Sequence, residues 1–349
     1  MALGSSFNRN SISIVCFFLY VYDKAMFHKA RLSKKLKQKK RLALLITSFV
    51  FLIQTGCLLS GTKTIKPSVL VPSKTDEKLI LSTEITQISG EVNLAFDSKD
   101  QIYFTNVRDK AQISRIKLGL GRQVKTLINL REWVDESGGN HPESSDLRVD
   151  QEDRIIVAEK GTGKLLRISS NARKLEVLAD SYDGYRFSSI DRLAIDFNGR
   201  CFLTSIDSGV IYLVDSQTGQ ITILNDRVIL PESLCVGPSG KQVFVSEPNS
   251  GRVLYFNLEG VLSPQEPKTL IDYAPELIRP YGLAFDQSGL LYVSLGDLKQ
   301  IRVYELESGK EIKTLRIDVF AGQLRCNNGY LFIGGNEFYH FLKIPTSND

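Results

Sequence analysis

One short pattern returns six times along this chain and leaves few folds open to it. Leu-x-x-Asp, or a variant ending in Gly or Asn, stands at Leu94 to Asp97, Leu147 to Asp150, Leu193 to Asp196, Leu234 to Gly237, Leu283 to Asp286 and Leu324 to Asn327. A turn and an apolar run follow each copy: Ile102 to Thr105, Ile155 to Ala158, Cys201 to Thr204, Val243 to Ser246, Leu291 to Ser294 and Leu331 to Gly334. A further run comes behind each of those: Ile113 to Ile116, Leu165 to Ile168, Val210 to Val214, Val253 to Phe256, Ile301 to Tyr304 and Phe341 to Ile344. Self-similarity at roughly forty to fifty residues, all of it strand-like, is the signature of propeller blades. No helical period of useful length intervenes between residues 79 and 344, and a flat sandwich gives no reason for six copies of one unit. The expected fold is therefore all-β: a six-bladed β-propeller of four-stranded antiparallel blades.

Outer strands are expected at Val124 to Leu127, Leu175 to Leu178, Ile221 to Leu224, Lys268 to Ile271 and Ile312 to Leu315. The sixth unit lacks one, while the run Leu79 to Ile85 ahead of the first unit is spare. The reading gives that N-terminal run to the last blade, which closes the ring and removes two open sheet edges.

Residues 1–56 are different material. A basic run from Lys29 to Arg41 precedes the apolar run Leu42 to Ile53 and then Gln54, Thr55, Gly56 and Cys57. That order is the layout of a secretory signal. With Cys57 at the first mature position it resembles a bacterial lipoprotein signal, from which Gln54 departs, and Met26 begins a more ordinary signal than Met1. Cys57 is thus the expected lipidation site, and the chain is expected to be exported to the cell envelope or periplasm as a membrane-anchored lipoprotein. An uncleaved membrane anchor is the other reading, for which the apolar run is short. Residues 57–78 read as a flexible tether rich in Ser, Thr, Lys and Pro, and residues 79–349 as the propeller.

The formal charge of +5 misleads, because ten of the 44 Lys and Arg but one of the 39 acids precede residue 57. The remainder carries 34 basic and 38 acidic side chains, a net of −4, which argues against a nucleic-acid surface. Cys201, Cys235 and Cys326 fall in strands of different blades, as buried free thiols do. No histidine pair has zinc-ligand spacing. Ser188 lacks a nucleophile elbow, and no glycine run opens a helix as a phosphate loop does.

The stretch Val177 to Asp196 (VLADSYDGYRFSSIDRLAID) and the segment Arg154 to Gly161 (RIIVAEKG) resemble the senescence-marker-protein/gluconolactonase/luciferin-regenerating-enzyme family. The likeness runs over about residues 86 to 344, in order and with the same blade number. It implies hydrolysis of sugar lactones or related esters with calcium or another divalent cation at the mouth of the central tunnel. A hard cation there wants six to eight oxygens, polarises the lactone carbonyl and lowers the pKa of a water.

Transferred position by position, the resemblance puts the family's metal ligands at Glu91, Asp191 and Glu232; Asp146, just before the second repeat leucine, Arg192 and Tyr281 are the candidate substrate-binding residues. Glu91 lies one residue further from its strand than the family pattern has it. Asp191 stands for the Asn of Ser-Pro-Asn-Asp, and Arg192 replaces the Asp that follows. Glu232 stands for the Asn of Pro-Asn-Gly. Tyr281 replaces the Asp of Pro-Asp-Gly, which in the enzymes is both ligand and candidate base; a phenol with a reference pKa of about 10 serves poorly as either. No catalytic residue is assigned. Two readings stay open: a calcium-dependent lactonase-like hydrolase with a divergent site, and a non-catalytic propeller that binds a small sugar-like or lactone ligand or a protein partner. Arg192 is the expected counter-charge if no metal sits among the carboxylates.

Overall fold

The apolar run behind each turn is continuous rather than alternating because it forms the second strand of a blade, covered on both faces. Ile155–Glu159 is buried along its whole length, and Arg200–Ser205, Gln242–Glu247 and Leu290–Leu295 along all but the first residue. Burial falls away outward, and the fourth strand of the first blade, Lys125–Asn129, buries little. The computed structural model describes residues 76–78, 84–89, 91–117, 123–136, 139–259, 264–335 and 337–344, all within the unit Thr62–Asp349. The signal region, Cys57, residues 57–75 of the expected tether and residues 79–83 lie outside the described residues.

Six four-stranded antiparallel blades follow in chain order. Their innermost strands are Leu94–Phe96, Ser144–Val149, Arg192–Ile195, Ser233–Val236, Leu283–Phe285 and Gln323–Asn327. The repeat leucines on these strands are at most 2% exposed and belong to the apolar layers between blades. The sixth blade takes its outer strand from the N-terminal side: Glu84–Ser89 pairs antiparallel with Phe338–Lys343. Closure is thus by an N-terminal strand, later in the chain than Leu79 to Ile85. The third strand of that blade, Phe338–Lys343, also begins earlier than Phe341. The expected tether ends in structure, since Asp76–Lys78 adds parallel to Lys310–Arg316 on the fifth blade.

The Asp of the repeat closes the turn between first and second strands. Asp196 Oδ1 accepts from the amides of Asn198 and Arg200, both at 2.9 Å, while Oδ2 takes Arg200 Nε at 2.6 Å. Asp97, Asp150 and Asp286 make the same pair of amide contacts. The turn ends in a left-handed residue in all six blades: Asp100, Asp153, Gly199, Gly240, Gly289 and Gly329. Asp196→Ala orphans two amides and a guanidinium, and is expected to cost about 2–3 kcal/mol of stability in urea unfolding. A cost below half a kilocalorie, roughly that of a neutral surface change, would contradict this role.

A small hairpin, Ser181–Tyr182 with Tyr185–Arg186, follows the outer strand of the second blade. Asp183 and Gly184, at φ 50° and 78°, form its two-residue turn. Cys201 is buried, Cys235 and Cys326 are partly buried, and all three thiols are free. Burial pushes Cys201 and Cys235 up to about 12.

Candidate functional site

The innermost strands all run in the same sense, so residues just before the repeat leucine gather at one end of the tunnel. Asp146 is fully buried there. Its Oδ1 accepts from Arg148 Nη1 at 2.5 Å and from the Leu147 amide at 2.7 Å, and its Oδ2 from the Leu193 amide of the next blade at 2.9 Å. A carboxylate so far from water has to be neutralised and hydrogen-bonded, and Arg148 and the two amides do this.

Arg192 is the hub of the neighbouring sector. Its Nη2 pairs with Glu232 Oε1, and its Nε donates to the Glu232 carbonyl at 2.6 Å. Burial alone lowers the pKa of this guanidinium, but the carboxylates of Glu232, Asp146 and Asp191 outweigh it and hold Arg192 above its ordinary value. Asp191 itself accepts from the Ser189 hydroxyl at 2.6 Å and the Ile206 amide at 3.1 Å.

Glu91 and Tyr281 bond to other partners. Glu91 is exposed, and its amide donates to Ser89 Oγ at 3.3 Å. Tyr281 gives its hydroxyl to Asp297 Oδ2 at 3.0 Å and sets its ring edge-on to Phe320. Burial and the Asp297 carboxylate raise its pKa, so it stays a neutral phenol. In the long loop after the first blade, Trp133 is exposed and His141 pairs with Glu136 at 2.6 Å.

Two functional-site residues escape a reading confined to positions before the leucine. Arg148 and Arg325 stand directly after it in the second and sixth blades. Arg325 Nη2 donates to Asn93 Oδ1 at 2.6 Å and lies 3.8 Å from Asp146 Oδ1. Its Nη1 and Nε reach the carbonyls of Leu324 and Leu94. An arginine in a column that otherwise reads Ala95, Ala194, Cys235 and Ala284 is the signal that marks it.

This donor set does not suit a divalent cation. Glu232 and Asp146 are each engaged by a guanidinium, and three arginines crowd the place where oxygens would have to converge. Among the described residues no three His, Cys, Asp or Glu side chains group closely enough to hold a metal ion.

The family model described as the SMP-30/gluconolactonase/LRE-like region matches residues 89–323. The chain belongs to this family. Within it, the chain is 22% identical over 175 residues to a gluconolactonase of Zymomonas mobilis, covering 44% of this chain and 49% of that enzyme. It is 26% identical over 95 residues to the lactonohydrolase oryL of Aspergillus oryzae, covering 23% and 22% of the two chains. The chain thus spans about half or less of the length of the curated relatives it matches. Among solved structures, a gluconolactonase from Xanthomonas campestris superposes with a TM-score of 0.58 at 17% identity, covering 72% of this chain and 85% of that one. A luciferin-regenerating enzyme superposes with a TM-score of 0.58 at 12% identity, covering 74% and 93%. At these identities the superpositions show the shared propeller fold.

Proposed function

We propose that this chain is a ligand-binding member of the SMP-30/gluconolactonase/LRE-like family, which holds a small sugar-like molecule at the tunnel mouth without metal-dependent lactone hydrolysis. The observation that carries this reading is the Arg192–Glu232 pair. Glu232 occupies a position where the family resemblance puts a metal ligand, and here its carboxylate is matched to a guanidinium. The phenol of Tyr281 stands where the resemblance puts the base. With Glu232 engaged by Arg192 and a phenol at the family's base position, the arrangement favours recognition of hydroxyl-rich ligands by hydrogen bonds over turnover.

A panel of sugar lactones followed in a pH-stat, with and without calcium, zinc, manganese and magnesium, tests this. Ring opening is expected to stay at the uncatalysed rate in every case. Turnover that depends on added metal and is lost in Glu232→Gln would restore the hydrolase reading. The same proposal places the chain at the cell envelope, anchored through Cys57. Cys57→Ser is expected to move it from the membrane to the soluble fraction, and an unchanged distribution would count against lipidation.

A further inference from the structure

The turns at the far end of the tunnel form a ring of their own. An innermost strand such as Arg192–Ile195 runs from the mouth to its turn, so the six turns share the opposite face. The residue after the fourth position of the repeat is the tip of each turn: Ser98, Gln151, Phe197, Pro238, Gln287 and Asn328. Four of these tips reach the left-handed residue of the next turn. Ser98 Oγ donates to Asp153 Oδ2 at 2.7 Å. Phe197 leans on Gly240 and Pro238 on Gly289, where an added Cβ would lie 3.8 and 3.7 Å from the respective ring. Asn328 donates, with Asn327, to Asp100 Oδ1 and joins the sixth blade to the first. At the second-to-third and fifth-to-sixth steps the tip is a glutamine, and a groove lies there instead.

The two grooves differ in character. The one between the fifth and sixth blades, about 180 Å³, has Phe285, Cys326 and Ile344 among its walls. The one between the second and third blades is larger, about 260 Å³, has mainly polar walls and carries Phe197 at its lip. That ring is 69% exposed, and it is the one aromatic side chain in its column. Gly240 meets one edge of it and has no side chain to cover the rest. The turn itself has no need of an aromatic residue, because Asp196 already caps it through the Asn198 and Arg200 amides.

The polar groups around the ring sort into engaged and spare. Asp150 and Glu152 share Arg154, and Asp196 holds Arg200. Three carboxylates thus meet two guanidiniums, which leaves no cation for an acid group, and each carboxylate already has its guanidinium. The spare groups are amides. The exposed side chains of Gln151, Asn198 and Gln217 make no hydrogen bond among the described residues. An amide both donates and accepts, as a hydroxyl does. A ligand with hydroxyls at its rim, an apolar face for the phenyl ring and no charge matches this set, and a pyranose with its axial C–H groups on one face is such a ligand.

We propose that the groove between the second and third blades binds a neutral pyranose, stacked on Phe197 and hydrogen-bonded by Gln151, Asn198 and Gln217. The site lies at the other end of the strand Arg192–Ile195 from the Arg192–Glu232 pair and does not rest on the reading of the mouth.

The test is a set of saturation-transfer NMR titrations of the full-length chain with glucose, maltotriose, cellotriose and chitotriose, and with sorbitol as an open-chain control that has the hydroxyls but no ring face. At least one of the four sugars is expected to bind saturably at millimolar concentration, and sorbitol is not. A trimer that binds more tightly than glucose would mark a glycan chain as the source of the ring, and equal affinity a free sugar. Phe197→Ala should weaken the bound sugar at least about tenfold, the loss of an aromatic anchor, while Phe197→Trp keeps it and Gln217→Ala weakens it several-fold. If Phe197→Ala does not fold, Gln217→Ala at its exposed position carries the same decision. Binding that neither variant alters would place the sugar elsewhere and overturn the site. Sorbitol binding as well as the sugars, or no saturable binding of any sugar, would overturn it too. Metal binding or lactone turnover bears on the mouth alone.

Discussion

Glu247→Ala is expected to lower stability by about 2–4 kcal/mol, the cost of an orphaned buried amide and of the cavity left behind. Glu247 ends the second strand of the fourth blade and is fully buried. Its Oε1 accepts from the Ile229 amide at 2.6 Å, and its Oε2 from Ser250 Oγ at 2.6 Å and Arg252 Nη2 at 2.7 Å. Alanine leaves the Ile229 amide without its acceptor and opens a cavity, whereas Arg252, 35% exposed, can recover water. Ile229 begins the approach to Glu232, so the substitution is also expected to weaken ligand binding at the mouth. Glu247→Gln keeps the shape and one acceptor oxygen and should cost about half as much. Urea unfolding measures both, and a loss below about 1 kcal/mol for alanine would show that the brace carries little. Glu159 has the same place in the second blade. It accepts from the Glu143 amide at 2.7 Å and from the Thr162 amide and hydroxyl, bracing the approach to Asp146.

Ile88→Asp is expected to prevent folding. Ile88 lies on the closing strand, fully buried with Ile85, Leu94, Ile102, Phe332 and Tyr339 between the sixth and first blades. Losing its apolar burial costs about 2–5 kcal/mol even as alanine. Putting a carboxylate there adds several kcal/mol more, which together rivals the whole stability of an ordinary domain, about 5–15 kcal/mol. The ring then keeps two unpaired edges, and the polar bridges across the closure, Tyr339 to the Val92 carbonyl at 2.6 Å and Arg325 to Asn93, lose their footing. Ile88→Val should cost only about 0.5–1.5 kcal/mol, and Gln87→Lys, at an exposed position of the same strand, nearly nothing. Circular dichroism with limited proteolysis separates these outcomes. A folded Ile88→Asp protein would mean that the closing strand is dispensable.

The blade count was readable because each Leu-x-x-Asp does the same two jobs six times over: the leucine fills the layer between blades and the acid, where present, caps the turn. The bounds of the closing strand were not, because Ile85 and Ile88 are three apart and do not alternate. A register shift between Ile85 and Ser89 lets both face inward, and a bulge of that kind hides a strand from a period-two reading. The hairpin at Asp183 and Gly184 is legible in its turn pair alone, because its two-residue strands are too short to show a period. At the mouth, Arg192 and Glu232 were placed together by position alone. Arg148 and Arg325 escaped because charge was sought on the rim, one step before the leucine, while these two arginines stand one step after it. Which carboxylate meets which guanidinium is a matter of reach across blades, and spacing along one strand does not encode it.

The central claim is that the guanidinium of Arg192, paired with Glu232, stands at this tunnel mouth in place of a divalent cation. A calorimetric titration of a metal-free preparation of the full-length chain with calcium chloride tests it most directly. The account predicts no calcium heat up to millimolar concentration. Stoichiometric calcium binding that Glu232→Gln abolishes would contradict it.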